Sequence, residues 1–186
     1  MEVTSHGIHQ RRISGLEFDG AVFTNLTHDH LDYHKTFKAY RDTKKILFDS
    51  LSKSAFALVN ADDKNGKFML QNCKGKTHTY ALHTLADFSA QIMENQFKGM
   101  LLKIDQKEVW TQLVGEFNAY NLLAVFSVAQ LLGKDPWETL KSISQLQSVK
   151  GRFQTFESSG KVMIVIDYAH TPDALRNVLL TINKIR

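Results

Sequence analysis

The sequence contains little of what secreted, fibrous or membrane proteins depend on. Its single cysteine, Cys73, excludes an intrachain disulfide, and two prolines in 186 residues exclude a proline-rich or collagen-like chain. No apolar run approaches the roughly 20 residues that a transmembrane helix needs. The N-terminus also lacks the basic and then apolar order of a signal peptide. We therefore expect a cytoplasmic protein that has no membrane partner.

Charge of one sign is not concentrated anywhere along the chain. The formal net charge is +4, from 23 basic and 19 acidic residues, and the bases are dispersed among the acids. Nucleic-acid-binding domains usually carry a basic stripe or arm, and those that bind single strands add aromatic residues between the bases. The composition argues against nucleic acid as a partner and favours an anionic small molecule.

Apolar strands and one clear helix alternate in the first part of the chain. Short apolar runs at 21–23 and 55–59 predict buried strands, and apolar residues at helical spacing predict a helix over 36–51 that has Thr36 as its N-cap. A short helix is expected near 68–72. This order is typical of an open α/β sheet.

Later segments add an antiparallel hairpin and two consecutive helices. Alternating runs at 100–104 and 109–114 predict the hairpin, so the sheet should be mixed. A helix over 118–132 should end at Gly133, and Asp135 followed by proline should begin the next one.

The last segment predicts a new βα unit. An apolar strand at 162–166 is followed by Thr171 and Pro172, a typical start of a helix. We place a domain boundary near Gly151, which divides the chain into domains 1–150 and 151–186. The polar opening at Met1 and a helix that runs up to the last residue indicate a chain cut within a longer protein.

Chemically capable side chains are densest between Thr24 and His34. Three histidines and two aspartates follow the strand at 21–23, and ligands of open α/β sheets bind beyond the carboxyl ends of strands. Without a thiolate, this set favours magnesium or manganese. Zinc held by paired histidines remains an alternative, as does a solvated polar loop.

Six segments, in this order, resemble the motifs of the Mur ligases. They are Met1-Glu2-Val3-Thr4-Ser5-His6, Phe23-Thr24-Asn25-Leu26-Thr27-His28-Asp29-His30-Leu31-Asp32-Tyr33-His34, Asn60-Ala61-Asp62-Asp63, Gly115-Glu116-Phe117-Asn118-Ala119-Tyr120-Asn121, Gly151-Arg152-Phe153 and Asp167-Tyr168-Ala169-His170-Thr171-Pro172-Asp173-Ala174-Leu175. The resemblance implies an incomplete central ATP-binding domain with an open, mixed and mostly parallel sheet, flanked by helices. It also implies that the first βα unit of a Rossmann-like C-terminal domain follows.

The resemblance implies an ATP-dependent ligase that acts on UDP-N-acetylmuramoyl-L-alanyl-D-glutamate through an acyl phosphate. The added amino acid would be meso-diaminopimelate, favoured over L-lysine, and we expect a monomer. Glu2 and His30 match magnesium ligands of the family, and Lys44 matches a lysine that the family carbamylates to bind a second magnesium. His30 and Lys44 would be the catalytic pair. The neighbouring Lys45 is the alternative, but it lies one position away from the lysine of the family motif.

Two further sets of residues match substrate sites of the family. The UDP-sugar peptide would contact Thr4, Ser5, Gln10 and Arg12, with a threonine where the family more often has serine. ATP would contact Asn25, Asn118, Asn121, Arg152, Asp167 and His170.

The chain departs from the family in lacking a glycine-rich loop that ends in Lys-Ser or Lys-Thr. We therefore expect no ligase activity from these residues alone. A ligase similar to folylpolyglutamate synthetase and a non-catalytic module that binds metal or nucleotide are the alternative hypotheses.

Overall fold

A computed structural model of the chain describes residues 1–27, 31–158, 160 and 162–185, without the side chain of Leu31. The chain divides into two compact units, Met1–Phe88 and Ser89–Arg186, which we describe separately. The boundary near Gly151, which concerns domains of the family, stays a prediction.

The first unit contains a parallel sheet with helices beside it. Its elements are α1 (Ser5–His9), β1 (Gly20–Phe23), α2 (Leu31–His34), α3 (Phe37–Asp49), β2 (Phe56–Asn60), α4 (Gly66–Leu70) and β3 (Lys76–Ala81). Strand β2 pairs in parallel with β1 and with β3. The predictions of β1, α3, β2 and α4 are confirmed, with α4 starting two residues earlier than expected, whereas α1, α2 and β3 were not predicted.

Helix α3 forms where the apolar spacing predicted it. Thr36 is its N-cap, and the Thr36 hydroxyl accepts a hydrogen bond from the Ala39 N–H at 3.1 Å. The helix buries Tyr40 and Phe48 in a core that also contains β1 and β2. This packing fixes the direction in which each lysine of α3 projects.

The loop after β2 is stabilised by carboxylates that accept backbone hydrogen bonds. Asp62 accepts from the N–H groups of Leu82, His83 and Thr84 at 2.8–3.0 Å. Such bonds to a charged acceptor are stronger than bonds between neutral groups. The Asn-Ala-Asp-Asp motif therefore anchors the segment that follows β3.

The second unit combines an antiparallel sheet with helices. Its elements are β4 (Phe88–Gln96), whose first residue belongs to the first unit, β5 (Gly99–Ile104), β6 (Lys107–Thr111), α5 (Glu116–Leu131), α6 (Pro136–Ser144), β7 (Gln154–Glu157), β8 (Met163–Ile166) and α7 (Pro172–Ile185). Strand β5 pairs antiparallel with β4 and β6, and β7 pairs antiparallel with β8. Parallel and antiparallel pairs with accompanying helices confirm the predicted α/β fold with a mixed sheet.

The turns and caps of the second unit agree with their sequence signals. Asp105 and Gln106 connect β5 to β6 with φ angles of 48° and 61°, as a tight two-residue hairpin requires. Gly133 follows α5 with φ 71°, and the Asp135 carboxylate caps α6 by accepting from the Glu138 N–H at 2.9 Å. The predicted hairpin and both helices are confirmed.

The C-terminal segment packs against the start of α5 in a small core. Val114, Phe153 and Val178 are buried together, and partly buried apolar residues of α5, β8 and α7 pack against them. The predicted β8 and α7 are confirmed, and β7 is an addition. None of the helices in the described part of the chain is long and apolar enough to cross a membrane.

Candidate functional site

The end of β1 and the loop that follows it contact the loop after β2 and strand β3. The Asp63 carboxylate accepts from the Leu26 N–H at 3.0 Å, and the Tyr80 hydroxyl lies 3.5 Å from the Phe23 carbonyl oxygen. Burial of Tyr80, together with the nearby charge of Asp63, raises the pKa of its phenol well above the usual range, so this hydroxyl stays protonated. The loop therefore leaves the sheet in a fixed direction.

The motif that follows this loop contains three histidines predicted to bear chemistry, of which His34 belongs to the described residues. His28, Asp29 and the candidate ligand His30 lie outside the described residues. Asn25, a candidate ATP contact, is exposed. The site is therefore built here from the residues that surround this motif.

Helices α1 and α2 meet through hydroxyl and imidazole groups. His34 Nε2 lies 2.9 Å from Ser5 Oγ in a buried hydrogen bond, and His9 Nδ1 lies 2.8 Å from the Tyr33 hydroxyl in an exposed one. The His6 ring centroid is 4.0 Å from that of Tyr33. Sequence patterns gave no signal for these contacts, because they join residues more than twenty positions apart.

The candidate substrate residues fall into two groups. Thr4, Gln10 and Arg12 are exposed, and Thr4 Oγ1 caps α1 by accepting from the Gly7 N–H at 3.1 Å, which leaves its own hydroxyl proton to donate. Ser5 differs from them, because only 1% of its surface is exposed. The Ser5 hydroxyl is buried and forms its hydrogen bond with His34.

Neighbouring lysines of α3 project to different sides of the helix. Lys45 is 8% exposed, and its Nζ donates to the Asp49 carboxylate and to the Gln71 carbonyl oxygen. Lys44 is half-buried on the side of Tyr40, with its Nζ 5.5 Å from the tyrosine ring centroid. The structure thus gives Lys45 a structural role and places the Lys44 ammonium near the ring of Tyr40.

We expect the two lysines to respond differently to substitution by methionine. Lys45→Met leaves the Gln71 carbonyl without its charged donor and should lower the free energy of unfolding by about 1–3 kcal/mol. Lys44→Met keeps the apolar stem beside the Tyr40 ring, and its loss should be smaller than that of Lys45→Met. Urea unfolding of both variants measures the difference, and equal losses would contradict this assignment.

In the second unit, the candidate ATP residues of α5 lie in its first two turns. Gly115, with φ 97°, is the N-cap of α5, so the helix begins two residues earlier than predicted and Asn118 lies in its first turn. Asn118 Nδ2 donates to the Val114 carbonyl oxygen at 2.8 Å, and Asn121 is exposed. Asn121 is therefore the more accessible of the two amides.

The other candidate ATP residues come together around Asp167. The Asp167 carboxylate accepts hydrogen bonds from the N–H groups of Phe153 and Ala169, both at 2.7 Å. The Arg152 guanidinium carbon lies 5.2 Å from the Tyr168 ring centroid, and His170 Nδ1 lies 3.1 Å from the Tyr168 carbonyl oxygen. The structure brings Arg152, Asp167 and His170 into one cluster.

The donor chemistry fits a divalent ion only in part. Among the described residues, no group of three or more His, Cys, Asp or Glu side chains could hold a metal ion. Glu2 is exposed and supplies a hard oxygen donor near the start of the chain. A carboxylate and a neutral imidazole suit a divalent ion that shares its coordination with phosphate oxygens.

Comparisons with known proteins cover the whole chain. The family model described as the Mur ligase middle domain matches residues 1–129. The UDP-N-acetylmuramoyl-L-alanyl-D-glutamate--2,6-diaminopimelate ligase of Parabacteroides distasonis is 58% identical over 185 residues, which are 100% of this chain and 38% of the relative. The ligase of the same name from Cytophaga hutchinsonii is 50% identical over 186 residues, with the same coverage of 100% and 38%.

A solved structure agrees with the sequence comparisons. A UDP-N-acetylmuramoyl-L-alanyl-D-glutamate--2,6-diaminopimelate ligase superimposes with a TM-score of 0.79 at 33% identity, and the match covers 99% of this chain and 39% of that one. The chain spans about two fifths of the length of the curated relatives it matches.

Proposed function

Because the chain belongs to the Mur ligase family, we propose that it forms part of a ligase that joins 2,6-diaminopimelate to UDP-N-acetylmuramoyl-L-alanyl-D-glutamate. The observation that carries the proposal is the match over the full chain, at 50% and 58% identity, to ligases named for this reaction. These names favour diaminopimelate over L-lysine as the added amino acid. They also favour a Mur ligase over a ligase similar to folylpolyglutamate synthetase.

The proposed reaction proceeds in two steps. A terminal carboxylate oxygen of the UDP-sugar peptide attacks the γ-phosphorus of ATP, and ADP leaves, which yields an acyl phosphate. The neutral amine of the amino acid then attacks the acyl carbon, phosphate leaves as the amide forms, and the proton lost by the amine nitrogen goes to the released phosphate. Neither step needs a side-chain nucleophile, so the protein contributes orientation and charge stabilisation.

We assign the handling of phosphate charge to Glu2, His30 and Lys44. The Lys44 ammonium would lose one proton to become a free amine, which would add to carbon dioxide and lose a second proton to give a carbamate, so that a cation becomes an anionic oxygen donor. Magnesium, when bound to these groups, would supply the charge neutralisation that phosphoryl transfer requires. The position of Lys44 supports this role, because its neighbour Lys45 is already committed to Asp49 and Gln71.

Exposed polar groups are assigned to the two large substrates. Thr4, Gln10 and Arg12 would bind the UDP-sugar peptide, with the Arg12 guanidinium facing an anionic group. The Asn121 amide can both donate to and accept from a purine edge. The cluster around Asp167 would approach ATP from the segment that follows Gly151.

Turnover in a chimaeric ligase tests the proposal. This chain would replace the aligned 185 residues of the Parabacteroides distasonis ligase, of which it matches 38%. We expect phosphate release that requires ATP, the UDP-sugar peptide and meso-diaminopimelate together, and no release from the 186 residues alone. A folded chimaera without turnover would contradict the proposal.

A further inference from the structure

We propose that the buried hydrogen bond between Ser5 and His34 positions Lys44 relative to the N-terminal segment of the site. The inference rests on the proposed function and assigns positioning residues for it. Ser5 is 1% and His34 8% exposed, and their Oγ and Nε2 atoms are 2.9 Å apart. A hydrogen bond is directional, so it fixes two elements more narrowly than apolar packing does.

On one side, this bond restrains the segment that carries the candidate metal ligand Glu2 and the candidate substrate contact Thr4. Ser5 is the first residue of α1, and Thr4, directly before it, is already oriented by its cap to the Gly7 N–H. Glu2 lies only three residues before Ser5. A fixed Ser5 therefore limits where the Glu2 carboxylate and the Thr4 hydroxyl can lie.

On the other side, the bond restrains the position of α3. His34 is the last residue of α2, and the chain turns sharply at Lys35, whose φ is 61°, before α3 begins. The His34 ring centroid lies 5.4 Å from that of Tyr40, with the planes tilted by 31°. Lys44 follows Tyr40 by one helical turn and lies against its ring. Contacts thus run without a gap from Ser5 to Lys44.

The same cluster contains a matched contact that should have no such role. His9 Nδ1 and the Tyr33 hydroxyl are 2.8 Å apart, so the chemistry is again imidazole with hydroxyl, but the pair is exposed. His9 lies at the last residue of α1, on the far side of Ser5 from Glu2 and Thr4. The His9 ring also lies edge-on to His34, with 6.3 Å between the centroids, but this contact is less directional than the hydrogen bond. Loss of His9 should therefore leave the Ser5–His34 bond and the site geometry unchanged.

The test uses the 186-residue chain with Mn²⁺ as a paramagnetic probe and bicarbonate in the buffer. Broadening of amide NMR signals reports the Mn²⁺ affinity and which residues lie near the ion. We expect Ser5→Ala and His34→Leu to weaken Mn²⁺ binding about 10- to 100-fold, as substitutions that disturb ligand orientation do. His9→Leu should bind like the wild-type chain, and His34→Gln, whose amide can replace Nε2, should recover part of the loss.

Several results of this experiment would overturn the inference. Unchanged binding in Ser5→Ala and His34→Leu, or an equal loss in His9→Leu, overturns the inference. Absence of Mn²⁺ broadening in the wild-type chain also overturns it. If His34→Leu does not fold, Ser5→Ala, which removes one hydroxyl, decides the matter. Turnover of the chimaeric ligase is measured separately, so failure of the proposed function would be distinguishable.

Discussion

Lys44→Ala in the chimaeric ligase should lower kcat about 10²- to 10³-fold, the size of effect seen when one preorganised charge-stabilising group is removed. The variant should keep its fold, because Lys44 is half-buried and the buried anchor of α3 at this point is Lys45. Steady-state phosphate release measures the rate, and thermal unfolding confirms the fold. Depleting carbon dioxide from the buffer should lower wild-type turnover for the same reason.

Lys38→Ala provides the matched control for Lys44. Lys38 belongs to the same helix, but its side chain is exposed, so its removal should leave kcat unchanged. Wild-type turnover in Lys44→Ala, or an equal loss in Lys38→Ala, would contradict the assignment of Lys44.

Phe153→Ala should have the largest effect on stability. Phe153 is 3% exposed, packs with Val114 and Val178, and lies with its ring centroid 5.8 Å from that of Phe117. Truncating a buried phenylalanine leaves a cavity and costs about 3–5 kcal/mol, a large share of the stability of a unit this size. Urea unfolding gives the loss, and hydrogen exchange should show early opening of α7.

Phe156→Ala is the control for this substitution. Phe156 lies in the adjacent strand β7 and is 46% exposed, so its truncation should cost much less. Similar losses in the two variants would show that the core around Phe153 does not hold the C-terminal segment.

The sequence predicted those elements whose own residues carry the periodic signal. Helix α3 and strands β1 and β2 bury regular apolar positions, so their spacing was sufficient. Strand β7, Gln154–Glu157, contains one apolar residue and is stabilised by pairing with β8. Helices α1 and α2 are short and polar, and they rely on a hydrogen bond between residues 5 and 34. Such long-range contacts leave no periodic pattern.

The prediction of the candidate site depended more on the family resemblance than on composition. Nothing in the spacing of α3 distinguishes Lys44 from Lys45. Their difference arises because the Gln71 carbonyl, 26 residues further along, lies beside Lys45. Asp167 was assigned to ATP by its motif, and the structure adds that its carboxylate already orients the Phe153 N–H. That second role could not be predicted, because it requires the pairing of β7 with β8.

The transfer of an oxygen isotope tests the central claim most directly. The UDP-sugar peptide would carry ¹⁸O in both oxygens of its reacting carboxylate, and the chimaeric ligase would convert it with unlabelled ATP and meso-diaminopimelate. If the carboxylate attacks the γ-phosphorus, one labelled oxygen leaves with each phosphate released, which mass spectrometry detects. Unlabelled phosphate, formed at the same rate as the amide, would show that no acyl phosphate is made and would contradict the account.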